Sequence, residues 1–258
     1  MLLRLRNRFG LSAVIVLALL LAAGSDRAQS SEPRKLRIGT FVIPLMVVDE
    51  ENGIFIELTN EILKRANLEA DIILMPPKRT LLYFSTKDVD VIFPALDVFF
   101  ATGIKYTKPT EIFYEKEDFV FTRKGEELLR IVPELEEKYV GITRGYAYAP
   151  ELMENRFIHI ERANTDEQNA HKLITGRMDA FVVEEHSGLK AFKNTGLEDK
   201  VQYDPNTPLS RQDVFYAFQG SQEGQALAAR FSDALRSMKE DGTFASIMNK
   251  AKAAQKVN

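Results

Sequence analysis

The chain has no cysteine in its 258 residues. This absence excludes disulfide bonds, a thiol nucleophile and a lipid anchor on an N-terminal cysteine. We therefore expect the folded protein to be stabilised by its hydrophobic core alone and to be unaffected by an oxidising compartment.

Catalytic motifs are also scarce. The three histidines, His159, His171 and His186, have no metal-binding spacing such as H-E-x-x-H, and neither G-x-S-x-G nor a P-loop occurs. Glu184, Glu185 and His186 could serve acid–base chemistry, but consecutive residues that leave a strand point in different directions. The sequence predicts no cofactor and no metal site, and we do not expect an enzyme.

The N-terminus predicts export. Arg4, Arg6 and Arg8 precede an apolar run over residues 9–23, and small residues follow it. This pattern is typical of a secretory signal peptide over residues 1–28, cleaved after residue 24 or 28. An uncleaved anchor is the alternative, but the run is shorter than the roughly twenty residues that span a bilayer.

The charge of the mature chain limits its partners. Cleavage after residue 28 would leave 30 basic and 36 acidic residues, a net charge of about −6. A negative balance argues against nucleic acid and anionic membranes as partners. Residues 29–258 contain no further run long enough to span a bilayer. We expect an exported globular protein.

Residues 173–189 (LITGRMDAFVVEEHSGL) organise the rest of the chain. The short apolar run at 180–183, between a Gly176 turn and Glu184, predicts a strand that is covered on both faces, as in a parallel sheet. Residues 84–97 repeat the same order of turn, acidic residue, strand and small-residue exit. Ligands of open α/β sheets bind outside the carboxyl ends of such strands. Two similar α/β lobes with a cleft between them are therefore predicted.

The order of the predicted elements divides the mature chain. Residues 29–124 form the first part of lobe 1, residues 125–211 form lobe 2, and residues 212–258 return to lobe 1 and end in helices. The segments DFVFTR (118–123) and DVFYAF (213–218) mirror each other and are predicted to be the two strands that cross between the lobes.

Five segments in the right order give the mature chain a resemblance to a known family. They are KLRIGT (35–40), the glycine and helix at 53–67, YTKP (106–109), VGITRGYAY (140–148) and GRMDAFVVEE (176–185). Together they resemble the family 3 periplasmic solute-binding proteins that serve ABC transporters. The resemblance implies the type II periplasmic binding protein fold, in which each lobe is a mostly parallel sheet flanked by helices and two crossing strands form the hinge.

The resemblance also implies a function. A monomeric protein would capture a small polar solute in the cleft and present it to the membrane permease of an ABC transporter. Two alternatives stay open on the same scaffold: an input protein for a membrane sensor, and a periplasmic dehydratase-like enzyme.

One departure from the family affects the expected ligand. Amino-acid receptors of this family hold the substrate carboxylate with an arginine just before the segment that YTKP resembles, and residues 97–105 contain no arginine. Asp97 would repel that carboxylate. Residues 75–82 (MPPKRTLL) are closer to a divergent branch with a P-x-x-R-x-L element. An ordinary α-amino acid is therefore not the expected ligand.

Four candidate residues lie in lobe 1. Phe41 and Pro44 follow the first strand and would form an apolar wall of the cleft or, alternatively, fill the core. Arg79 would present its guanidinium to an anion or pair with Asp90 or Asp97. Asp97 would lie at the cleft rim or serve as the partner of Arg79.

Four more candidates lie in lobe 2. Thr143, Arg144 and Tyr146 come where a strand leads into a helix, a place where backbone N–H groups favour anions or carbonyl oxygens. Arg144 would supply a cation to the cleft or remain in solvent. By the resemblance, Glu184 would receive an ammonium group; its alternative role is to cap a helix.

Overall fold

The computed structural model describes residues 34–257 except 102 and 110, with side chains up to residue 250. The predicted signal peptide over residues 1–28 lies outside the described residues. Within the described part, no helix combines the length and the apolar character that crossing a bilayer requires.

Strands and helices alternate along most of the chain, as expected for an α/β protein. The strands are β1 (Leu36–Thr40), β2 (Ala70–Leu74), β3 (Val91–Ala95), β4 (Tyr106–Thr107), β5 (Tyr114–Arg123), β6 (Tyr139–Thr143), β7 (His159–Ala163), β8 (Ala180–Glu184), β9 (Val201–Gln202) and β10 (Ser210–Gln219). The helices are α1 (Ile54–Arg65), α2 (Pro77–Ser85), α3 (Pro150–Met153), α4 (Asp166–Ile174), α5 (Glu185–Thr195), α6 (Gln222–Glu240) and α7 (Thr243–Val257).

The sheet consists of two parallel triplets joined by two long strands. Its order is β2-β1-β3-β10-β5-β8-β6-β7, and pairing is parallel within β2-β1-β3 and within β8-β6-β7. β10 and β5 pair antiparallel with each other and with the triplet beside them. This confirms the predicted two-lobed fold with two crossing hinge strands.

Each hinge strand belongs to both halves of the sheet. The first half of β10 pairs with β5, and its second half pairs with β3 and β4. The hydrophobic clusters follow the same division: two draw mainly on residues 36–114 and 214–248, and two on residues 119–209. The lobe boundaries at residues 124 and 211 remain a prediction, and these clusters support it.

Strand β8 shows why the short apolar run is so informative. Ala180 and Val182 belong to one hydrophobic cluster, and Phe181 and Val183 belong to another on the opposite face. All four are fully buried. Because successive side chains of a strand point to opposite faces, an unbroken apolar run requires cover on both.

Helix α1 ends two residues before the predicted limit at residue 67. Its apolar side chains recur at helical spacing and are buried, and Asn67 adopts a φ of 49° shortly after the last helical residue, Arg65. Asparagine tolerates this left-handed conformation better than most residues and therefore suits the end of a helix.

Two other element starts have local physical reasons. α2 begins at Pro77, because proline suits the first helical position, where its missing N–H is not needed. β7 begins at His159, whose backbone N–H donates to the carbonyl oxygen of Lys138 in the segment that leads into β6.

Candidate functional site

A cleft of about 140 Å³ opens where the two lobes meet at the hinge strands. It lies at the carboxyl ends of β1, β3, β6 and β8, the edge at which parallel α/β sheets bind ligands. Such a volume is well below the roughly 300–1,000 Å³ of sites for drug-sized molecules. The cleft therefore suits a small ligand.

The wall that lobe 1 contributes is entirely apolar. It comes from the loop after β1, the starts of α1 and α2, and the segment that follows β3. Its residues are Phe41, Val42, Ile43, Pro44, Met46, Phe55, Pro77, Pro94, Leu96 and Phe99. None of these side chains can accept or donate a strong hydrogen bond, so this wall offers a ligand hydrophobic contact.

The hinge and lobe 2 supply the polar side chains of the cleft. These are Tyr114, Lys116, Tyr146, Glu184, His186 and Ser187. Val214, Gly145 and Ala147 complete the lining, and Ala147 also packs against the core of lobe 1. A ligand in the cleft would thus meet hydrocarbon on one side and polar groups on the other.

Glu184 takes the capping role that its sequence position predicts, and it also lines the cleft. It is the N-cap of α5, and its Oε2 accepts hydrogen bonds from the Ser187 backbone N–H at 3.0 Å and the Ser187 hydroxyl at 3.1 Å. Its Oε1 lies 3.9 Å from His186 Nε2, too far for a hydrogen bond. The carboxylate therefore caps the helix with one oxygen and faces the cleft without giving up that role.

Lys116 is held by a buried aspartate. Its Nζ donates to Asp118, which is only 1% exposed, and to the carbonyl oxygen of Ala147 at 3.1 Å. Asp118 also accepts from Ser210 at 3.2 Å and from Gln212 at 3.4 Å. The ammonium thus neutralises a charge that the fold itself has buried.

Thr143 and Tyr146 meet at a second buried carboxylate, Asp166. The Thr143 hydroxyl donates to Asp166 Oδ1, and the Tyr146 hydroxyl donates to Oδ2 at 3.0 Å. Asn169 donates to the Thr143 hydroxyl at 3.0 Å, and Thr143 N–H donates to the Tyr148 hydroxyl at 2.8 Å. Thr143 is therefore behind the cleft, where it fixes the loop that carries Tyr146 into the lining.

Asp97 is bound within lobe 1, but not by Arg79. The Tyr106 hydroxyl donates to its Oδ1 at 2.5 Å and Lys108 donates to its Oδ2 at 3.1 Å. Lys108 also reaches Asp213 at 3.4 Å. The sequence predicts for Asp97 either a place at the cleft rim or an ion pair with Arg79. The structure shows an ion pair with Lys108 instead, and Asp97 does not line the cleft.

Neither Arg79 nor Arg144 belongs to the cleft lining. Both residues are exposed, and neither side chain makes a hydrogen bond or ion pair with another residue that the structure describes. Of the eight sequence candidates, the structure brings Phe41, Pro44, Tyr146 and Glu184 together in the cleft and leaves Arg79, Asp97, Thr143 and Arg144 outside it. Ligand contact by any of the eight stays a prediction.

Sequence reasoning missed several residues of this site. Lys116 and Asp118 are two apart on β5 and so share a face, a spacing that could have revealed the pair. Asp166 carried only a weak signal, as the first helical residue after the capping residue Thr165. Among the described residues, no cluster of three or more histidine, aspartate or glutamate side chains could hold a metal ion.

Asp166 and Asp97 have pKa values that shift in opposite directions. Burial raises the pKa of the Asp166 carboxyl, although the hydrogen bonds from Thr143 and Tyr146 oppose the shift. At Asp97 burial acts in the same direction, but the hydrogen bonds from Tyr106 and Lys108 outweigh it, so that its pKa is lowered. The two carboxyls should therefore make opposite contributions to the pH dependence of stability.

We expect the free energy of unfolding of Asp166→Asn to fall less steeply than that of the wild type as the pH is raised. An unfolded aspartate titrates near pH 3.9. Since the folded chain holds the Asp166 proton more tightly, stability falls as pH rises from that value through the raised pKa. Asp97→Asn is the control with the opposite sign, because it removes stability that is lost as pH falls below about 3.9. Urea unfolding at a series of pH values measures both; parallel profiles for Asp166→Asn and wild type would contradict the assignment.

Comparison with known proteins agrees with the fold. The profile of the bacterial extracellular solute-binding proteins, family 3, matches residues 36–252. A protein named as an amino-acid ABC transporter-binding protein, PatH of Vibrio harveyi, is 23% identical over 233 residues, which are 89% of this chain and 92% of that protein.

Solved structures show the same fold. The GluR0 ligand-binding core from Nostoc punctiforme, in complex with L-glutamate, has a TM-score of 0.66 and 20% identity, and the alignment covers 83% of this chain and 98% of that one. The arginine-, lysine-, histidine-binding protein ArtJ from Geobacillus stearothermophilus has a TM-score of 0.64 and 19% identity, with 84% and 94% covered. A histidine kinase sensor domain has a TM-score of 0.69 and 18% identity, with 84% and 95% covered. Because the family profile spans nearly all of the described residues, the chain belongs to the bacterial extracellular solute-binding proteins, family 3.

Proposed function

We propose that this protein captures a small solute in the cleft between its lobes and presents it to the permease of an ABC importer in the periplasm. The observation that supports this most is the lining of the cleft, which comes from both lobes and from both hinge strands. A solute that contacts both walls stabilises the arrangement in which they are close, and a partner can recognise that arrangement.

Family membership and the Vibrio harveyi relative both favour transport over the two alternatives. The relative is named as an ABC transporter-binding protein, whereas the likeness to a sensor domain rests on a structure of 18% identity and shows the fold alone. We further propose that the chain binds its solute without turning it over, in keeping with a sequence that contains neither G-x-S-x-G nor H-E-x-x-H.

A substitution that fills the cleft tests the function. Ala147 lines the cleft and packs against the core of lobe 1, so Ala147→Phe should occupy the space of the ligand. A solute at about 100 times its Kd should raise the Tm of the wild type by roughly 5–10 °C. We expect a thermal-shift screen of small metabolites to find such a solute, and Ala147→Phe to abolish the shift.

Ala229→Phe is the matched control. Ala229 lies exposed on α6, away from the cleft, so this variant should respond to the solute as the wild type does. An equal thermal shift in Ala147→Phe would place the ligand elsewhere, and a screen without any stabilising solute would count against the solute-binding function.

A further inference from the structure

The cleft lining contains one lysine, Lys116, and one carboxylate, Glu184, and only the lysine has a partner of opposite permanent charge. Lys116 is neutralised by Asp118, which is buried and within hydrogen-bond distance of its ammonium group. The hydrogen bonds to Glu184 come from the Ser187 N–H and hydroxyl, which carry no charge. His186 lies 3.9 Å from the carboxylate and is charged only when protonated. At neutral pH the lining therefore carries one carboxylate that no permanent cation balances.

Further carboxylates lie behind the same wall. Glu185 accepts a hydrogen bond from the Tyr203 hydroxyl at 2.8 Å, and Asp166 accepts one from Tyr146. Burial first, and then the negative charges of Glu184 and Glu185, raise the pKa of Tyr114, which lies in the cleft. The field at this wall is thus negative, and it would attract a cation and repel an anion.

The side chains of the opposite wall offer no strong hydrogen bond to a polar group. Its ten side chains are hydrocarbon or thioether, and the exposed arginines Arg79 and Arg144 do not reach the lining. Burying a carboxylate against such a wall without a partner is costly, whereas an apolar group gains about 25 cal/mol for each Å² removed from water.

We propose that the ligand is a small organic amine, with its ammonium group on Glu184, its apolar body against the lobe 1 wall and no carboxylate. This inference rests on the proposed solute-binding function and narrows it to one class of solute. An α-amino acid does not fit this proposal, because Lys116, the one lysine or arginine of the described lining, is already neutralised by Asp118 and would not balance its carboxylate.

Matched compounds test the ligand class on the mature protein by titration calorimetry. Phenethylamine and isopentylamine are each compared with the alcohol and the carboxylic acid of the same carbon skeleton, and with phenylalanine and leucine. We expect at least one amine to bind tenfold or more tighter than its alcohol, and the acids and amino acids to bind more weakly still. An alcohol or acid that binds as tightly as its amine, or an absence of binding by both amines, overturns the proposal.

Glu184→Gln tests the contact itself. Glutamine keeps an oxygen that can accept the Ser187 bonds, so the start of α5 should be preserved while the charge is lost. We expect amine affinity to fall at least tenfold. Glu185→Gln is the matched control, since it removes a charge from the same wall but Glu185 bonds Tyr203 and does not line the cleft; its amine affinity should fall by much less than that of Glu184→Gln. Equal affinity in Glu184→Gln and wild type contradicts the assignment.

Different results would overturn the amine ligand and the solute-binding cleft. An acid or amino acid that binds in the cleft, with affinity lost in Arg79→Ala or Arg144→Ala, overturns the amine proposal but supports solute binding. A solute whose binding is indifferent to Ala147→Phe overturns the cleft as the binding site and the amine proposal with it.

Discussion

Lys116→Met should lower the free energy of unfolding by about 3–5 kcal/mol. The substitution keeps much of the apolar stem of the side chain but removes the ammonium that contacts Asp118. That aspartate is 1% exposed, and its remaining side-chain partners, Ser210 and Gln212, are neutral. A carboxylate left buried without a counter-charge is among the most costly single changes in a folded protein. Urea unfolding of the variant measures the loss.

A double substitution separates charge from packing. Adding Asp118→Asn to Lys116→Met removes the unpaired charge and leaves an amide that Ser210 and Gln212 can still bond. We expect the double variant to recover most of the lost stability, because replacing a buried ion pair with neutral groups is often nearly neutral. A loss below about 1 kcal/mol in Lys116→Met alone would mean that the pair behaves as an exposed salt bridge.

Gly53→Ala should destabilise the protein by about 3 kcal/mol and weaken solute binding as well. Gly53 has a φ of 130°, a conformation that L residues rarely adopt, and a Cβ there would lie 2.4 Å from the carbonyl oxygen of Met46. Backbone strain and overpacking each cost roughly 1–3 kcal/mol. The Met46 oxygen accepts the N–H of Phe55 at 2.8 Å, and both residues line the cleft. Relief of the clash must therefore move the apolar wall.

Gly125→Ala is the control for this prediction. Gly125 has a φ of 88°, but a Cβ at that position would meet nothing within 4 Å. We expect it to cost about 1 kcal/mol, from backbone conformation alone, and to leave solute affinity unchanged. An equal loss of unfolding free energy in Gly53→Ala and Gly125→Ala would show that the Met46 carbonyl can move away from the added Cβ at little cost. Urea unfolding and calorimetry on both variants supply the comparison.

The sequence predicts the fold of this protein well because its strongest signals are local. The run at residues 180–183 requires cover on both faces, and β8 has it. Asn67 ends α1 through its own backbone preference. Such features depend on a few neighbouring residues, and one residue type can decide each of them.

The site is harder to predict because its chemistry depends on contacts between distant segments. Asp97 pairs with Lys108 rather than Arg79. This pairing depends on the path of the chain after β3, which no local sequence pattern predicts. The link from Asp166 to Thr143 and Tyr146 requires that the start of α4 lie beside the end of β6. The capping role of Glu184 and its place at the cleft could be predicted, since the strand end and the helix start coincide at one residue.

Native mass spectrometry of the purified mature protein tests the central claim, solute capture in the cleft, most directly. We predict a small molecule bound one to one in the wild type and in Ala229→Phe, and its loss in Ala147→Phe. The same bound mass at equal occupancy in all three proteins would contradict the account, because the cleft would then not be the place where the solute binds.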